Sequence, residues 1–150
     1  MSKNWDKRMM QVAKLAASWS KDRSIGVGCV IASPDHAMLS SGFNGFPRGV
    51  NDDVEARHER PAKYKFTEHA ERNAIYNAAR HGIKLEGATI YLPWYPCADC
   101  ARAIVQSGIK TMVATAPNLE DPRWGEDFKV SVTVLAEGGV THEIWEEESE

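Results

Sequence analysis

Two of the three cysteines in this chain, Cys97 and Cys100, stand in the hexapeptide YPCADC. Alone, the pair fits a disulfide redox couple, half of a structural zinc knuckle, part of a catalytic metal site, or simple packing. Upstream stands the tripeptide HAE, His69-Ala70-Glu71. The chain between Glu71 and Pro96 is about the length of a helix, a turn and a strand. Both motifs can therefore open parallel helices at one end of a sheet, with His69 and Cys97 facing one spot. Cys100 follows one helical turn later on the same face.

One imidazole and two thiolates suit zinc, and three protein ligands leave the fourth position open for water. The free N–H groups of a helix start also favour thiolate over thiol. A structural site would need a fourth protein ligand. The remaining cysteine, Cys29, lies mid-strand in VGCVI and reads as a small buried hydrophobe. His36, His58, His81 and His142 lie in or beside polar segments and read as surface or capping groups. Glu71 stands too close to His69 along the chain to be a further ligand, yet stays at the metal's edge. Zinc brings the pKa of a bound water from about 15.7 to about 7. A neighbouring carboxylate can then carry its proton to a substrate at neutral pH. Taken alone, Glu71 would read as a helix first-turn acid.

The elements must place these groups together. The chain has 150 residues, 43% hydrophobic and 26% charged, which points to one folded domain spanning 1–150. No apolar run reaches the length of a membrane span, and MSKNWDKRMM lacks a secretory pattern, so a cytoplasmic protein with reduced thiols is expected. A net charge of −3 argues against a general nucleic-acid binder. Arg48, Arg57, Arg60, Lys63 and Lys65 nevertheless crowd one stretch, either a solvated basic face or an anion site for a small phosphorylated ligand.

Asn4 is placed to cap a first helix running to about Ser20, with Trp5, Met9, Val12, Ala16 and Trp19 on its apolar face. IGVGCVIA (25–32) and AMLSSGF form a hairpin around SPDH. An irregular stretch rich in glycine follows, to about Phe66. Thr67 is expected to cap the next helix, which Gly82 ends. ATIYL is a third strand, Pro96 begins a helix that stops at Gly108, and KTMVAT is a fourth strand. KVSVTVL alternates as a strand would, yet Trp124, Phe128, Val132 and Leu135 sit at helical spacing between Pro122 and Gly138-Gly139. The reading adopted is a helix followed by the strand VTHEIW. The order α-ββ-α-β-α-β-α-β predicts an α/β fold, a mixed sheet covered on both faces.

HAE followed by PCxxC is the zinc-deaminase signature, with the glutamate an acid/base and not a ligand. The likeness extends over most of the chain. SWSKDRSIGVGCVI, GFNGFPRGVNDD, YKFTEHAERNAI and CARAIVQSGIK resemble segments of the deoxycytidylate (dCMP) deaminases. The resemblance implies the cytidine deaminase-like fold, a three-layer α/β/α sandwich with a mixed five-stranded sheet. It implies Zn2+ on His69, Cys97 and Cys100, and Glu71 as the catalytic proton carrier. The reaction is hydrolytic deamination of dCMP to dUMP and ammonia, with water adding at C4 and protons passing to N3 and the departing amine.

It further implies that Asn44 contacts the sugar, that the backbone near Ala70 orients the base, and that Arg48 meets a phosphate or a nucleotide effector. Arg80, about 16 Å along the helix from His69, could reach a phosphate in its own or a neighbouring subunit. The bulky LPWYPC departs from the family's usual stretch, and Trp94 and Tyr95 can stack on a base or line its pocket. The family implies dCTP and dTTP as effectors at the loop from Gly42 to Asp53, Mg2+ with the effector, and a homo-hexamer. Rival readings keep the chemistry on dCTP, a modified nucleotide, a nucleobase or tRNA, or reduce the protein to a non-catalytic zinc-containing nucleotide-binding module. The cysteine count is too low for a second zinc site.

Overall fold

The computed structural model describes residues 3–147. Its sheet is built around β1 (Gly28–Ala32), buried at every position. Successive side chains of a strand alternate between faces. Cys29 and Ile31 therefore enter one core cluster, while Val30 and Ala32 enter another. A strand covered on both sides needs an unbroken apolar run, as GCVIA is.

β1 pairs antiparallel with β2 (Met38–Phe43) and with β3 (Thr89–Leu92). β3, β4 (Thr111–Ala114) and β5 (Thr141–Ile144) are parallel, giving the order β2-β1-β3-β4-β5. Among the described residues the sheet has five strands and is mixed, as expected. Helix α1 (Lys3–Ala17) covers one face; α3 (Ala70–Arg80), α4 (Ala98–Gln106) and α5 (Gly125–Glu137) cover the other. None of the described helices is long and apolar enough to cross a membrane.

The face of α1 differs from the expected one. Met9, Met10, Ala13 and Ala16 are buried, but Trp5 and Trp19 are 39% and 53% exposed. The helix begins at Lys3, so Asn4 lies inside it, and it ends before Trp19. Glycine explains the choice of face. A Cβ on Gly28 would lie 2.2 Å from the Ala13 carbonyl oxygen and 2.4 Å from the Ala17 nitrogen. The helix backbone thus rests directly on β1 through Ala and Gly, and the tryptophans fall to the flanks, Trp5 stacking on His36.

Gly42 plays the same part for α3. A Cβ there would stand 2.3 Å from the Ala70 carbonyl oxygen and 2.5 Å from the Ala74 nitrogen. The start of α3 is thereby pressed onto β2 beside Cys29, whose thiol donates to the Ala70 carbonyl at 3.3 Å.

Strand β1 starts at Gly28, not at Ile25. The Asn44 amide takes the Val27 N–H at 2.8 Å and donates to the Ile25 carbonyl at 2.9 Å, holding Ile25–Val27 outside the ladder. The stretch after β2 is less irregular than expected. It holds a bridge between Gly45 and Glu68, a 3-10 turn (Glu55–His58) and the short α2 (Lys63–Phe66). Residues 125–137 are helical, as read; the buried positions are Gly125, Phe128, Ser131 and Leu135. Val132, expected in the core, is 40% exposed, because a 3–4 spacing from Phe128 and Leu135 selects Ser131.

Candidate metal centre and active site

Helix starts leave backbone N–H groups unpaired, and a polar side chain at the N-cap position usually satisfies one. Neither α3 nor α4 follows this habit. Thr67, expected to cap α3, ends α2 instead; the N-cap of α3 is His69, with no side-chain cap bond. Pro96 lies just outside α4, whose N-cap is Cys97, again without a side-chain cap bond. Both cap residues turn their side chains toward each other instead of toward their own helices.

The result is a tight group. Cys97 Sγ lies 3.4 Å and Cys100 Sγ 3.5 Å from His69 Nδ1. All three donor atoms fall within 4.8 Å of one another, the group of this kind found among the described residues. Tetrahedral zinc with bonds of about 2.3 Å to sulfur and about 2.0–2.1 Å to nitrogen separates such donors by about 3.5 Å. The residues therefore fit zinc in donor type and in spacing. Cys29 takes no part; burial first, and then Glu71, keep its thiol protonated well above the usual range.

Hydrogen bonding with Cys100 brings the Cys97 thiol down to about 4, opposed by burial and aided by His69. The same Cys97 contact and burial push Cys100 well up. Cys97 also holds the His69 imidazole above its ordinary range, against burial. Glu71 is 5% exposed, and burial raises its carboxyl above the ordinary glutamate value. A carboxyl so placed takes up and returns a proton more readily at neutral pH than an exposed one.

Arg72, the next residue, bonds Glu68 and reaches Asp99 at 3.4 Å. Burial works against its charge, but the sulfur of Cys100 and the Glu68 carboxylate outweigh it and keep the guanidinium firmly protonated. A cation fixed beside Cys97 and Cys100 favours negative charge on their sulfurs.

A cavity of about 150 Å3 opens onto this group. His69, Ala70, Glu71 and Cys97 form its buried end. Ile25, Val27 and Asn44 line it, as do the aromatic residues Trp94, Tyr95, Trp124 and Phe128. Asp22, Ser24, Arg60, Lys63, Tyr64, Thr67 and Arg123 complete the lining, with Arg60, Tyr64 and Arg123 exposed. The Asp22 and Lys63 side chains are 6% and 12% exposed and pair at 3.0 Å. Lys63 also donates to Ser24 Oγ at 3.0 Å, as Arg60 does at 3.3 Å, while Arg60 Nε donates to the Tyr64 hydroxyl at 2.7 Å.

The structure thus gathers His69, Ala70, Glu71, Cys97 and Cys100 with Asn44, Trp94 and Tyr95. Tyr95 is 4% exposed and meets Phe128 edge to face, whereas Trp94 is 45% exposed. Arg48 and Arg80 stand apart. Arg48 donates to Asn77 Oδ1 at 2.7 Å, and Arg80 is the exposed last residue of α3; neither lines the cavity. Asp22, Ser24, Tyr64, Arg123 and Trp124 were not expected there. Arg60 and Lys63 were signalled only as members of the basic stretch.

Residues 3–116 match the cytidine and deoxycytidylate deaminase zinc-binding region. An uncharacterized deaminase from the luxG 3' region of Aliivibrio fischeri is 44% identical over 142 residues, covering 93% of this chain and 92% of that one. The deoxycytidylate deaminase of Homo sapiens is 34% identical over 122 residues, 78% of this chain and 67% of that one. In fold, the crystal structure of the dCMP deaminase from cyanophage S-TIM5 in apo form aligns with a TM-score of 0.75 at 24% identity, covering 97% of this chain and 100% of that chain. With a matched region that includes His69, Glu71, Cys97 and Cys100, this chain belongs to the cytidine and deoxycytidylate deaminase family.

Proposed function

We propose that this protein deaminates dCMP hydrolytically, releasing dUMP and ammonia. The observation that carries the reading is the position of Glu71. It is buried at the end of the cavity, next to a three-donor group that suits zinc and leaves one coordination position over. Bound there by His69, Cys97 and Cys100, zinc supplies Lewis acidity that makes a water acidic enough to act as nucleophile.

The rest of the work falls to the chain. Glu71 accepts the proton of the attacking water and delivers it to N3 of the cytosine ring. The C4–O bond forms, the remaining water proton passes from that oxygen to the exocyclic amine, and the bond from C4 to that amine breaks to release ammonia. The Ala70 backbone, at the start of α3, orients the base. Trp94, Tyr95, Trp124 and Phe128 cover the ring and keep bulk water out. Asn44 contacts the sugar: its amide oxygen and nitrogen each make one backbone bond, and each retains capacity for a sugar hydroxyl.

The phosphate is met by Arg60, Lys63 and Arg123, which line the cavity, whereas Arg48 and Arg80 do not. That concentration of cations favours a nucleoside monophosphate over the free nucleoside or base, and the name of the human relative points to the same substrate. Arg48 and Arg80 are left for contacts to an effector or a neighbouring subunit. A second cavity of about 250 Å3, lined in part by Phe43, Gly45, Phe46 and Asp52 of the glycine-rich loop, suits dCTP or dTTP with Mg2+. Exposed apolar side chains on β2 and α3, Met38, Phe43 and Tyr76, suit a homo-hexamer. Three free cysteines, two of them needed as thiolates, suit the reducing cytoplasm.

The test measures metal content together with ammonia release from dCMP, dCTP, CMP, deoxycytidine and cytosine, each with and without dCTP or dTTP. One zinc per chain and preferential turnover of dCMP are expected. Zinc with no ammonia from any of the five would reduce the protein to a nucleotide-binding module.

A further inference from the structure

The Cys97 turn carries two ligands, yet its own helix gives it no cap. An N-cap side chain reaches only the second or third N–H of its helix, and the first finds its partner elsewhere. The N–H of Ala98, the first residue of α4, donates to Asp127 Oδ2 at 2.7 Å. Asp127 lies in the first turn of α5, on a different helix, and is half-buried. Its neighbour Phe128 meets Tyr95 edge to face, with ring centroids 5.5 Å apart. The dipeptide Asp127-Phe128 therefore grips both ends of the segment Tyr95–Ala98, with Cys97 in between. A carboxylate on a backbone N–H is a charge-assisted bond, about twice as strong as a neutral one.

We propose that Asp127 is a positioning residue for the metal centre. It acts on Cys97 through the Ala98 N–H, fixing the backbone on which the Cys97 sulfur is carried. The assignment rests on the metal reading above and adds a residue to it that lies outside both signature motifs. Groups that orient metal ligands in this way change metal affinity by about 10–100-fold when removed.

The experiment follows zinc release from the full chain to a chromophoric chelator, and the visible bands of the Co2+-substituted protein, alongside thermal melting and kcat and KM for dCMP. Asp127→Ala is expected to release zinc about 10–100-fold faster, to shift the Co2+ bands, and to lower kcat with KM changed less than about twofold. Asp127→Asn keeps an acceptor oxygen and is expected to recover most of the slow release. Asp127→Glu keeps the charge at the start of α5 but moves the carboxylate by one methylene. It is expected to melt as the native protein does and still release zinc several-fold faster, and it decides the matter should the alanine variant not fold. Glu126→Gln, at an exposed position of the same turn, is expected to change nothing.

The proposal is overturned if the Ala and Glu variants hold zinc and colour as the native protein does, whatever their melting temperatures. It is equally overturned if Glu126→Gln speeds release as much as Asp127→Ala, since the charge at the start of α5 would then be the cause. A native protein that takes up no zinc overturns the metal reading itself, an outcome separate from these.

Discussion

The two ends of the cavity are built differently. The inner end stands on helix starts pressed against the sheet, and Cys100, Ala70 and Glu71 are almost wholly buried. The outer end is made of loops and a short helix, and its charged groups lie near water: Arg60 and Arg123 are exposed, and only Asp22 and Lys63 are sequestered. Reacting groups need fixed geometry, because proton transfer and metal binding fall off over fractions of an ångström. A charged phosphate needs only a concentration of positive groups, which loops can supply and exchange. On the proposed reading, the chemistry is therefore placed where the fold is most buried, and phosphate recognition where it meets solvent.

The sharpest way to break this contrast is at the inner end. Glu71→Gln is expected to keep the metal and lose at least ~10²-fold in turnover, the lower range for a positioned acid/base. Metal analysis paired with steady-state kinetics checks it; normal turnover would remove Glu71 from the mechanism. Next in size is Gly42→Ala. The added Cβ meets backbone atoms of α3, which cannot rotate away. Destabilisation of about 1–3 kcal/mol is expected, the range for overpacking. Zinc occupancy should fall with it, because α3 carries His69 at its start. Melting curves and zinc content on the same samples check both.

The inner end was also the part legible in the sequence. HAE and PCxxC are each compact, and helix-turn-strand spacing between them brought three donors to one place. The element order was legible for the same local reason: buried strands are continuous apolar runs, and Gly82 and Gly138-Gly139 punctuate. Where local rules failed, the failures have causes. Thr67 and Pro96 were assigned to helix starts by capping preference, but His69 and Cys97 hold the N-cap positions and turn their side chains toward each other instead. Trp5 and Trp19 were assigned to the core by periodicity, but Gly28 lets backbone, not large side chains, make that contact. The outer end was mostly illegible. Asp22, Arg60, Lys63 and Arg123 come from three segments with no common spacing, and only the basic stretch hinted at two of them.

Two smaller predictions sharpen the outer end. Arg123→Ala and Arg60→Ala should each raise KM for dCMP about tenfold, the effect of losing one hydrogen bond to a charged group. Turnover of deoxycytidine, which has no phosphate, should be unchanged. Equal effects on both substrates would mean that these arginines shape the cavity and do not read the phosphate.

The smallest effect concerns Asp22 and Lys63, which tie the wall at Ser24–Ile25 to α2. Burial alone would raise the Asp22 carboxyl. Lys63 and the backbone N–H groups of Ser24 and Ile25 more than offset it, and hold the carboxyl below the usual aspartate value in the folded state. A carboxyl depressed by folding adds stability that is fully present above its unfolded pKa, about 3.9, and that fades as pH falls through the folded value. Asp22→Asn keeps an oxygen for the two backbone bonds and deletes the charge. It should cost about 1–2 kcal/mol at neutral pH, between an exposed pair and a fully buried one. The gap in melting temperature between native and variant should then close as pH drops below about 3.9. Protonation of the zinc ligands affects both proteins alike and cancels in that difference. A gap that stays constant down to the lowest pH at which both remain folded would mean that Asp22 acts through its hydrogen bonds alone, and that the outer end owes nothing to its one sequestered charge pair.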